Sequence, residues 1–300
     1  MPDDVLHRAI TLAAPLFAIF VVVLVVVEQA ATRLHRQRRV DTASALVTIV
    51  SAGAFAGAKV IVGKLAAVAL ALYVYEHWRF TTLDLTNPMV WIGAFVVRDL
   101  VYYWVHRSEH RFRLLWASHQ VHHSPMTIGF TTAIRVPWME AVYKPWFGLW
   151  VPLIGINPVA FIIADVTAGV IGQLCHTRRV RRLPVVEWLF VTPTAHRVHH
   201  GSNPEYIDKN FGAVFIVWDR LFGTFEKEAA EVVYGIGKQD DITVAEALTG
   251  GYPELVTTMK ALPPTSRIRY AFGAPGDPFT AGSDVASSSR PDHRRLRTAA

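Results

Sequence analysis

Cysteine and charged residues are scarce in this sequence. Cys175 is the single cysteine among 300 residues, which excludes an intramolecular disulfide, a cysteine-rich zinc site and a four-cysteine iron–sulfur cluster. Charged residues make up only 18% of the chain and hydrophobic residues 52%, with a mean hydropathy of +0.27. The zinc-protease motif H-E-x-x-H and a clear dinucleotide-binding G-x-G-x-x-G are absent. These absences disfavour a zinc hydrolase and a built-in nucleotide cofactor, and the oily composition indicates a membrane protein.

The apolar residues are concentrated in four segments. A helix of about 20 apolar residues crosses the roughly 30 Å hydrocarbon core of a bilayer, and the segments cover residues 9–29, 43–77, 89–105 and 146–175. Helices and closed barrels are the structures that satisfy all backbone hydrogen bonds in lipid. We therefore predict an all-α fold, a polytopic membrane helical bundle with four or five membrane-embedded elements.

Basic residues beside these segments indicate which side of the membrane each loop occupies. Arginines flanking a span favour the cytoplasmic face, and they follow the first, third and fourth segments: Arg33, Arg36, Arg38, Arg39, Arg107, Arg111, Arg113, Arg178, Arg179, Arg181 and Arg182. If 43–77 is one broken span, the chain after residue 105 returns to the cytoplasm; a two-span hairpin would place it outside. The net charge of +6 is interpreted as a membrane-surface feature rather than a nucleic-acid site.

The sequence divides into four parts along its length. Residues 1–84 are predicted to form an N-terminal transmembrane anchor region, and residues 85–235 a catalytic domain. Residues 236–275 form a C-terminal extension. Residues 276–300 are polar and without periodicity, which predicts a disordered tail.

Histidines carry the most specific pattern in the chain. Nine of the thirteen lie between residues 106 and 200, as one H-x-x-x-H, two copies of H-x-x-H-H and one isolated residue. Residues three and four apart share one side of a helix, so each unit can present its imidazoles to a single site. The set is His106, His110, His119, His122, His123, His176, His196, His199 and His200.

This many imidazoles suits two metal ions, because a single structural zinc needs only four ligands. Imidazole also binds copper, iron and nickel, so the ligand type leaves the metal open. Iron fits best beside lipid, since breaking an unactivated C–H bond requires an oxidant that no side chain supplies. Asp99 shares a helical face with His106 and His110, and Asp165 shares one with His176. We predict that both aspartates orient ligand imidazoles through a ring N–H.

The order of these motifs, with an aspartate before the first and NFGAVFIVWDRLFGTF (210–225) after the last, resembles the fatty acid hydroxylase and sterol desaturase superfamily of membrane di-iron enzymes. The resemblance covers roughly residues 85–235. HRVHHGSNPEYIDKNFG and WDRLFGTFEKE look most like the alkylglycerol monooxygenase branch. The resemblance implies that the eight motif histidines are iron ligands and that His176 is a further one. Arg111 departs from that branch, where an acidic residue is expected.

The resemblance also implies an activity. It predicts an O2-dependent lipid monooxygenase with two iron ions, which hydroxylates or desaturates a lipid C–H bond and, on the ether branch, cleaves alkylglycerol ethers with a tetrahydropterin. A sterol or fatty-acyl hydroxylase or desaturase is the alternative within the superfamily, and a membrane metal-binding or transport protein is the alternative of another class. Electrons are expected from an external donor or a reduced pterin. The predicted location is the bacterial inner membrane or the endoplasmic reticulum, with the metal site on the cytoplasmic side.

Overall fold

The structure is a computed structural model that describes residues 42–59, 66–238 and 241–276, together with scattered positions between 19 and 30. Most of the predicted span 9–29 and nearly all of the predicted tail 276–300 lie outside the described residues. No strand occurs in the described ranges, where Phe190 and Phe215 form an isolated antiparallel bridge. The prediction of an all-α fold is confirmed for this part of the chain.

The described residues outside positions 19–30 contain twelve α-helices. They are α1 Thr42–Ala58, α2 Val68–Trp78, α3 Pro88–Arg111, α4 Arg113–His123, α5 Phe130–Ala133, α6 Trp138–Phe147, α7 Pro158–Cys175, α8 Pro193–His199, α9 Val217–Leu221, α10 Val244–Thr249, α11 Tyr252–Ala261 and α12 Pro264–Ala271. Two 3₁₀ turns, Val151–Ile154 and Val186–Trp188, interrupt the connections.

The two long helices that lead toward the histidines begin in the same way. The Asn87 side chain accepts a hydrogen bond from the Met89 amide at 2.9 Å, with Pro88 at the first helical position. The Asn157 side chain accepts one from the Val159 amide at 2.8 Å, followed by Pro158. Asparagine satisfies an otherwise unpaired amide, and proline at the first position has no amide to satisfy. These local signals fix the starts of α3 and α7.

One helix in the described ranges, α7, is long and apolar enough to cross a membrane, with a mean hydropathy of 1.7 over its 18 residues. The apolar helix Ala43–Ala58 is shorter. The predicted segment 43–77 contributes to two helices, α1 and α2, and only the last part of 146–175 is the continuous helix α7. Several spans were predicted, and the described residues support one of them by length and composition.

Helix α3 runs through the centre of the domain and packs against α4, α6 and α7. Ala94 of α3 is fully buried with Val151, Ile156 and Ala160, the last of these from α7. At its other end, α7 meets α8, where Cys175 packs with Val191, Ala195 and Ile216. This packing brings the C-terminal ends of α3, α4 and α7 together with α8.

The buried Arg135 guanidinium connects the N-terminal helix to the C-terminal extension. It donates to Asp241 Oδ1 at 2.6 Å, to Thr48 Oγ1 at 3.1 Å and to the Ser44 carbonyl at 2.9 Å. Arg135 is 1% exposed. Arg135 therefore joins α1, the residues before α6 and the C-terminal extension through hydrogen bonds to one guanidinium.

Arg135→Met is expected to lower the free energy of unfolding by about 3 kcal/mol, because it leaves polar partners of a buried ion pair unpaired. The measurement is thermal unfolding in detergent, followed by circular dichroism. Lys238→Met is the matched control, since Lys238 pairs with Glu246 on the surface and such pairs contribute at most about 1 kcal/mol. Equal unfolding temperatures for the two variants would contradict the role given to Arg135.

Candidate metal centre

The structure brings all nine predicted histidines into one region. His106 and His110 lie on the last turns of α3, and the second motif forms the end of α4. His176 follows α7 directly, and the third motif lies on α8 and the residue after it. His122 is partly exposed and the other eight rings are buried. The helix ends thus place the predicted ligand set around a common interior.

The rings form two adjacent groups. The five-histidine cluster comprises His106, His110, His119, His123 and His199, and the four-histidine cluster comprises His122, His176, His196 and His200. Within each cluster, one nitrogen from every ring lies within 4.8 Å of the others. The His123 and His200 rings stack across the boundary at 4.5 Å between centroids. Each cluster can hold one metal ion.

Hydrogen-bond acceptors face the Nδ1 atoms of five of the nine rings. Backbone carbonyls accept at four of them: Phe211 for His106 at 2.8 Å, Arg135 for His122 at 3.2 Å, Gly172 for His176 at 2.9 Å and Lys209 for His199 at 3.0 Å. A carbonyl only accepts, so each of these Nδ1 atoms carries the proton of a neutral imidazole. The Nε2 atom of each of these four rings is therefore unprotonated and has a free lone pair.

These lone pairs point at one another. His176 Nε2 lies 3.4 Å from His122 Nε2, and His106 Nε2 lies 3.1 Å from the Nε2 of His119, whose Nδ1 faces the Glu140 carboxylate. The Nε2 atoms of His110 and His199 are buried and have no hydrogen-bond partner. Converging lone pairs without protons between them repel unless a cation lies among them. The donor set therefore fits metal ions, and imidazole nitrogen suits first-row transition metals.

Burial keeps the rings neutral. It lowers the pKa of every one of the nine histidines, to about 4 for His176 and about 3 for His122, and for His106, His123 and His200 the neighbouring imidazoles lower the pKa further. Neutral imidazole is the metal-binding form. The converging ring nitrogens and the neutral state of the imidazoles therefore both favour binding of a metal cation.

One ring, His119, is backed by a carboxylate instead of a carbonyl. Its Nδ1 lies 2.8 Å from Glu140 Oε1 and 3.5 Å from Glu109 Oε2. Lys144 Nζ bridges these carboxylates, at 2.5 Å from Glu140 and 3.2 Å from Glu109, and Tyr143 donates to Glu109 at 2.5 Å. The Lys144 ammonium and the Tyr143 hydroxyl thus already serve as partners of the two glutamates, and we assign no third metal ion between them.

Glu140 and Lys144 were not predicted as site residues. Their i,i+4 spacing on α6 is a signal that indicates an ion pair on one helix face. It does not indicate that this pair lies beside a histidine of α4. Burial raises the pKa of Glu109 to about 8.

The two predicted orienting aspartates do not contact histidines, and those predictions were wrong. Asp99 accepts from the amides of Val214 and Phe215 at 3.0 and 2.9 Å and from the Trp218 indole at 3.0 Å. Asp165 accepts from Arg98 at 2.7 Å. Asp99 precedes His106 by seven residues, and Asp165 precedes His176 by eleven. These separations correspond to about 10 and 16 Å along a helix. A shared helical face does not bring the side chains into contact over that distance.

The turn at residues 208–212 supplies contacts that the histidine pattern did not indicate. Asp208 and Asn210 have left-handed backbone conformations, with φ of 59° and 56°. Lys209 lies between these two residues, and its carbonyl accepts a hydrogen bond from His199 Nδ1. Phe211 follows Asn210, and its carbonyl accepts one from His106 Nδ1. Asp219 holds the turn by accepting from the Phe211 and Gly212 amides at 2.7 and 2.8 Å. Lys209 and Phe211 thus orient the His199 and His106 imidazoles through their backbone carbonyls, and Asp219 holds the turn in which they lie.

Residues 91–224 match the family model described as fatty acid hydroxylase. All nine clustered histidines and the 208–212 turn lie within that match. This part of the chain is therefore similar to the fatty acid hydroxylase family, and the resemblance predicted from the motifs is confirmed.

Within that class, the chain is most informatively compared with alkylglycerol monooxygenases. It is 36% identical over 191 residues to that enzyme of Xenopus tropicalis, covering 63% of this chain and 42% of the relative. It is 37% identical over 166 residues to that of Homo sapiens, covering 55% and 37%. The predicted likeness to the alkylglycerol monooxygenase branch is confirmed.

A bacterial relative has a different name. The chain is 32% identical over 150 residues to the ornithine lipid hydroxylase OlsE of Rhizobium tropici, covering 46% of this chain and 44% of the relative. The chain spans less than half the length of these curated relatives. No solved structure matches the chain.

Proposed function

We propose that this protein is a membrane-bound, O2-dependent lipid monooxygenase with one iron ion in each histidine cluster. The observation that carries the proposal is the pair of adjacent histidine clusters, in which imidazole nitrogens of rings that donate from Nδ1 converge. The names of the relatives, alkylglycerol monooxygenase and ornithine lipid hydroxylase, support a lipid substrate. Iron, when bound, would supply the oxidising power that side chains lack.

The chain's own residues would hold and tune this centre. All nine histidines, His176 among them, are proposed as ligands. Phe211, Lys209 and Glu140 fix the rings of His106, His199 and His119 by accepting from Nδ1. Burial excludes water from the clusters, which limits unproductive side reactions. The unequal numbers of imidazoles, five and four, would leave more room for other ligands at the four-histidine cluster.

An alkylglycerol ether is the first substrate to test, because the animal relatives carry that name. Hydroxylation of the carbon beside the ether oxygen gives a hemiacetal, which falls apart to an aldehyde and an alcohol. Hydroxylation or desaturation of a sterol or fatty-acyl chain is the alternative. Electrons would come from a tetrahydropterin or an external protein donor. Metal transport is less well supported, since a transport path favours ligands along successive spans and these gather at helix ends.

The proposal includes a polytopic membrane domain with the metal centre on the cytoplasmic side. Helix α7, the one helix in the described ranges that is long and apolar enough to cross a membrane, supports contact with the bilayer, and the arginines after it favour the cytoplasmic face.

The test is metal analysis and oxygen consumption of the full chain purified in mild detergent. We expect about two irons per chain, a number set by the two clusters, and oxygen uptake that requires a lipid and a reductant. Alkylglycerol, ornithine lipid and phospholipid are offered separately, each with tetrahydropterin or a protein donor. A single zinc with no oxygen uptake on any lipid would refute the proposal.

A further inference from the structure

The segment from residue 178 to residue 190 connects two parts of the metal centre. It follows His176 and leads to α8, which carries the third histidine motif. Apart from Val180, which is partly buried, and Glu187, which is buried, every residue in it is exposed. We infer that residues 178–190, the interfacial segment, bind the surface of an anionic lipid bilayer. The inference rests on the proposed membrane placement and concerns a surface to which that proposal assigns no role.

The first half of the interfacial segment is basic. Arg178, Arg179, Arg181 and Arg182 are all exposed. The one acidic residue, Glu187, is turned inward, where it accepts from Arg182 at 3.0 Å and from Thr192 at 3.2 Å. The outer surface of the segment therefore carries positive charge without acidic neighbours from the same segment. Such a cluster next to an apolar helix is suited to anionic lipid headgroups.

The second half of the interfacial segment is apolar and equally exposed. Val185 is 86% exposed and Trp188 71% exposed. Leu183, Val186, Leu189 and Phe190 are exposed as well. Contiguous apolar surface of this kind marks an interaction site. Tryptophan favours the boundary between headgroups and acyl chains. At that boundary the basic run would contact the headgroups, and the exposed apolar residues would contact the acyl chains.

The apolar half is continuous with the helices that would enter the membrane. Phe190 stacks on Phe215 with centroids 5.6 Å apart, and Phe215 meets Phe95 of α3 edge-on at 5.9 Å. The arginines begin three residues after α7 ends at Cys175, and Leu174 at that end is exposed. This continuity favours lipid as the occupant over a soluble protein partner. It would also bring the clusters to the depth at which a lipid substrate enters.

The test places an environment-sensitive fluorophore on single cysteines in the full chain, with Cys175→Ala as background, in nanodiscs. Val185→Cys reports on the interfacial segment. Val166→Cys, at an exposed position of α7, reports on membrane insertion itself, and Glu254→Cys, on the exposed face of α11, is the aqueous control. Lipids carrying a quencher in the acyl chain are then added. We expect a blue-shifted, strongly quenched label at positions 185 and 166, and a label at 254 that remains accessible to iodide.

The arginines are tested in the same system. Arg178→Gln combined with Arg181→Gln is expected to lower the preference of the label at 185 for quencher-bearing phosphatidylglycerol over phosphatidylcholine. The expected loss is roughly fivefold for each arginine, the factor that corresponds to about 1 kcal/mol per basic residue at an anionic surface. Arg182 is left unchanged because it also contacts Glu187.

The outcomes separate this inference from the proposed function. If position 166 is quenched by lipid and position 185 stays accessible to iodide, the interfacial segment does not bind the bilayer, and its apolar surface is left for a protein partner. If neither position is quenched, the membrane placement itself fails, whatever the metal content of the same preparation. Quenching at 185 without any preference for phosphatidylglycerol would overturn the role of the arginines.

Discussion

His199→Ala is expected to abolish lipid oxidation, with activity falling by more than about 100-fold. His199 belongs to the five-histidine cluster, and its ring lies 4.3 Å from that of His106 and 4.7 Å from that of His123, between centroids. Its Nε2 is buried with no hydrogen-bond partner, so its removal takes away a nitrogen that nothing else replaces. Loss of groups that merely support metal ligands already costs about 10- to 100-fold. Iron content and lipid turnover are measured on the same purified sample.

His77→Ala is the matched control. His77 is an exposed histidine on α2, outside both clusters, and its Nδ1 lies 2.9 Å from the Tyr73 carbonyl. We expect this variant to keep its iron and its activity. In His199→Ala, iron should fall from two per chain toward one, while the helical content by circular dichroism stays unchanged. Full iron occupancy and full activity in His199→Ala would remove His199 from the ligand set.

The histidine pattern was informative because each unit is local. Three- and four-residue spacings on a helix place imidazoles on one side regardless of the rest of the fold, and the structure joins all nine in two clusters. The resemblance to the superfamily added the order of the motifs. Whether these residues bind iron remains a prediction that metal analysis decides.

The contacts behind the imidazoles could not be predicted in the same way, because they are long-range. Four are backbone carbonyls, which no side-chain motif encodes, and the fifth, Glu140, comes from a different helix than His119. Asp99 was given an orienting role on periodicity alone, which fixes a direction around the helix axis and no distance to a partner in another segment. Among the described residues, length and composition support one of the predicted membrane segments, α7. Hydropathy alone does not assign the others, since apolar residues line the interior of a helical domain as well as any lipid-facing surface.

Glu140→Ala is expected to weaken iron binding at the five-histidine cluster by about 10- to 100-fold, the range for removing a carboxylate behind a metal-binding histidine. Glu140 Oε1 accepts from His119 Nδ1 at 2.8 Å, and Glu140 is 3% exposed. The carboxylate fixes the direction of the ring and makes Nε2 a stronger donor. Competition with a graded chelator, followed by iron analysis, measures this loss without depending on turnover.

Two further variants distinguish orientation of His119 from general disturbance of the buried charges. Glu140→Gln keeps an acceptor oxygen for Nδ1 and is expected to retain most of the affinity that Glu140→Ala loses. Tyr143→Phe removes the hydroxyl that donates to Glu109 at 2.5 Å and leaves the Glu140 contact intact, so it should bind iron like the parent chain. If Glu140→Ala and Tyr143→Phe weaken binding equally, the effect belongs to the packing of α6. If Glu140→Ala alone does not weaken iron binding, Glu109 Oε2, which is buried without a hydrogen-bond partner and 3.5 Å from His119 Nδ1, has taken over as acceptor. Combining Glu140→Ala with Glu109→Ala, which leaves neither carboxylate, must then produce the loss of affinity.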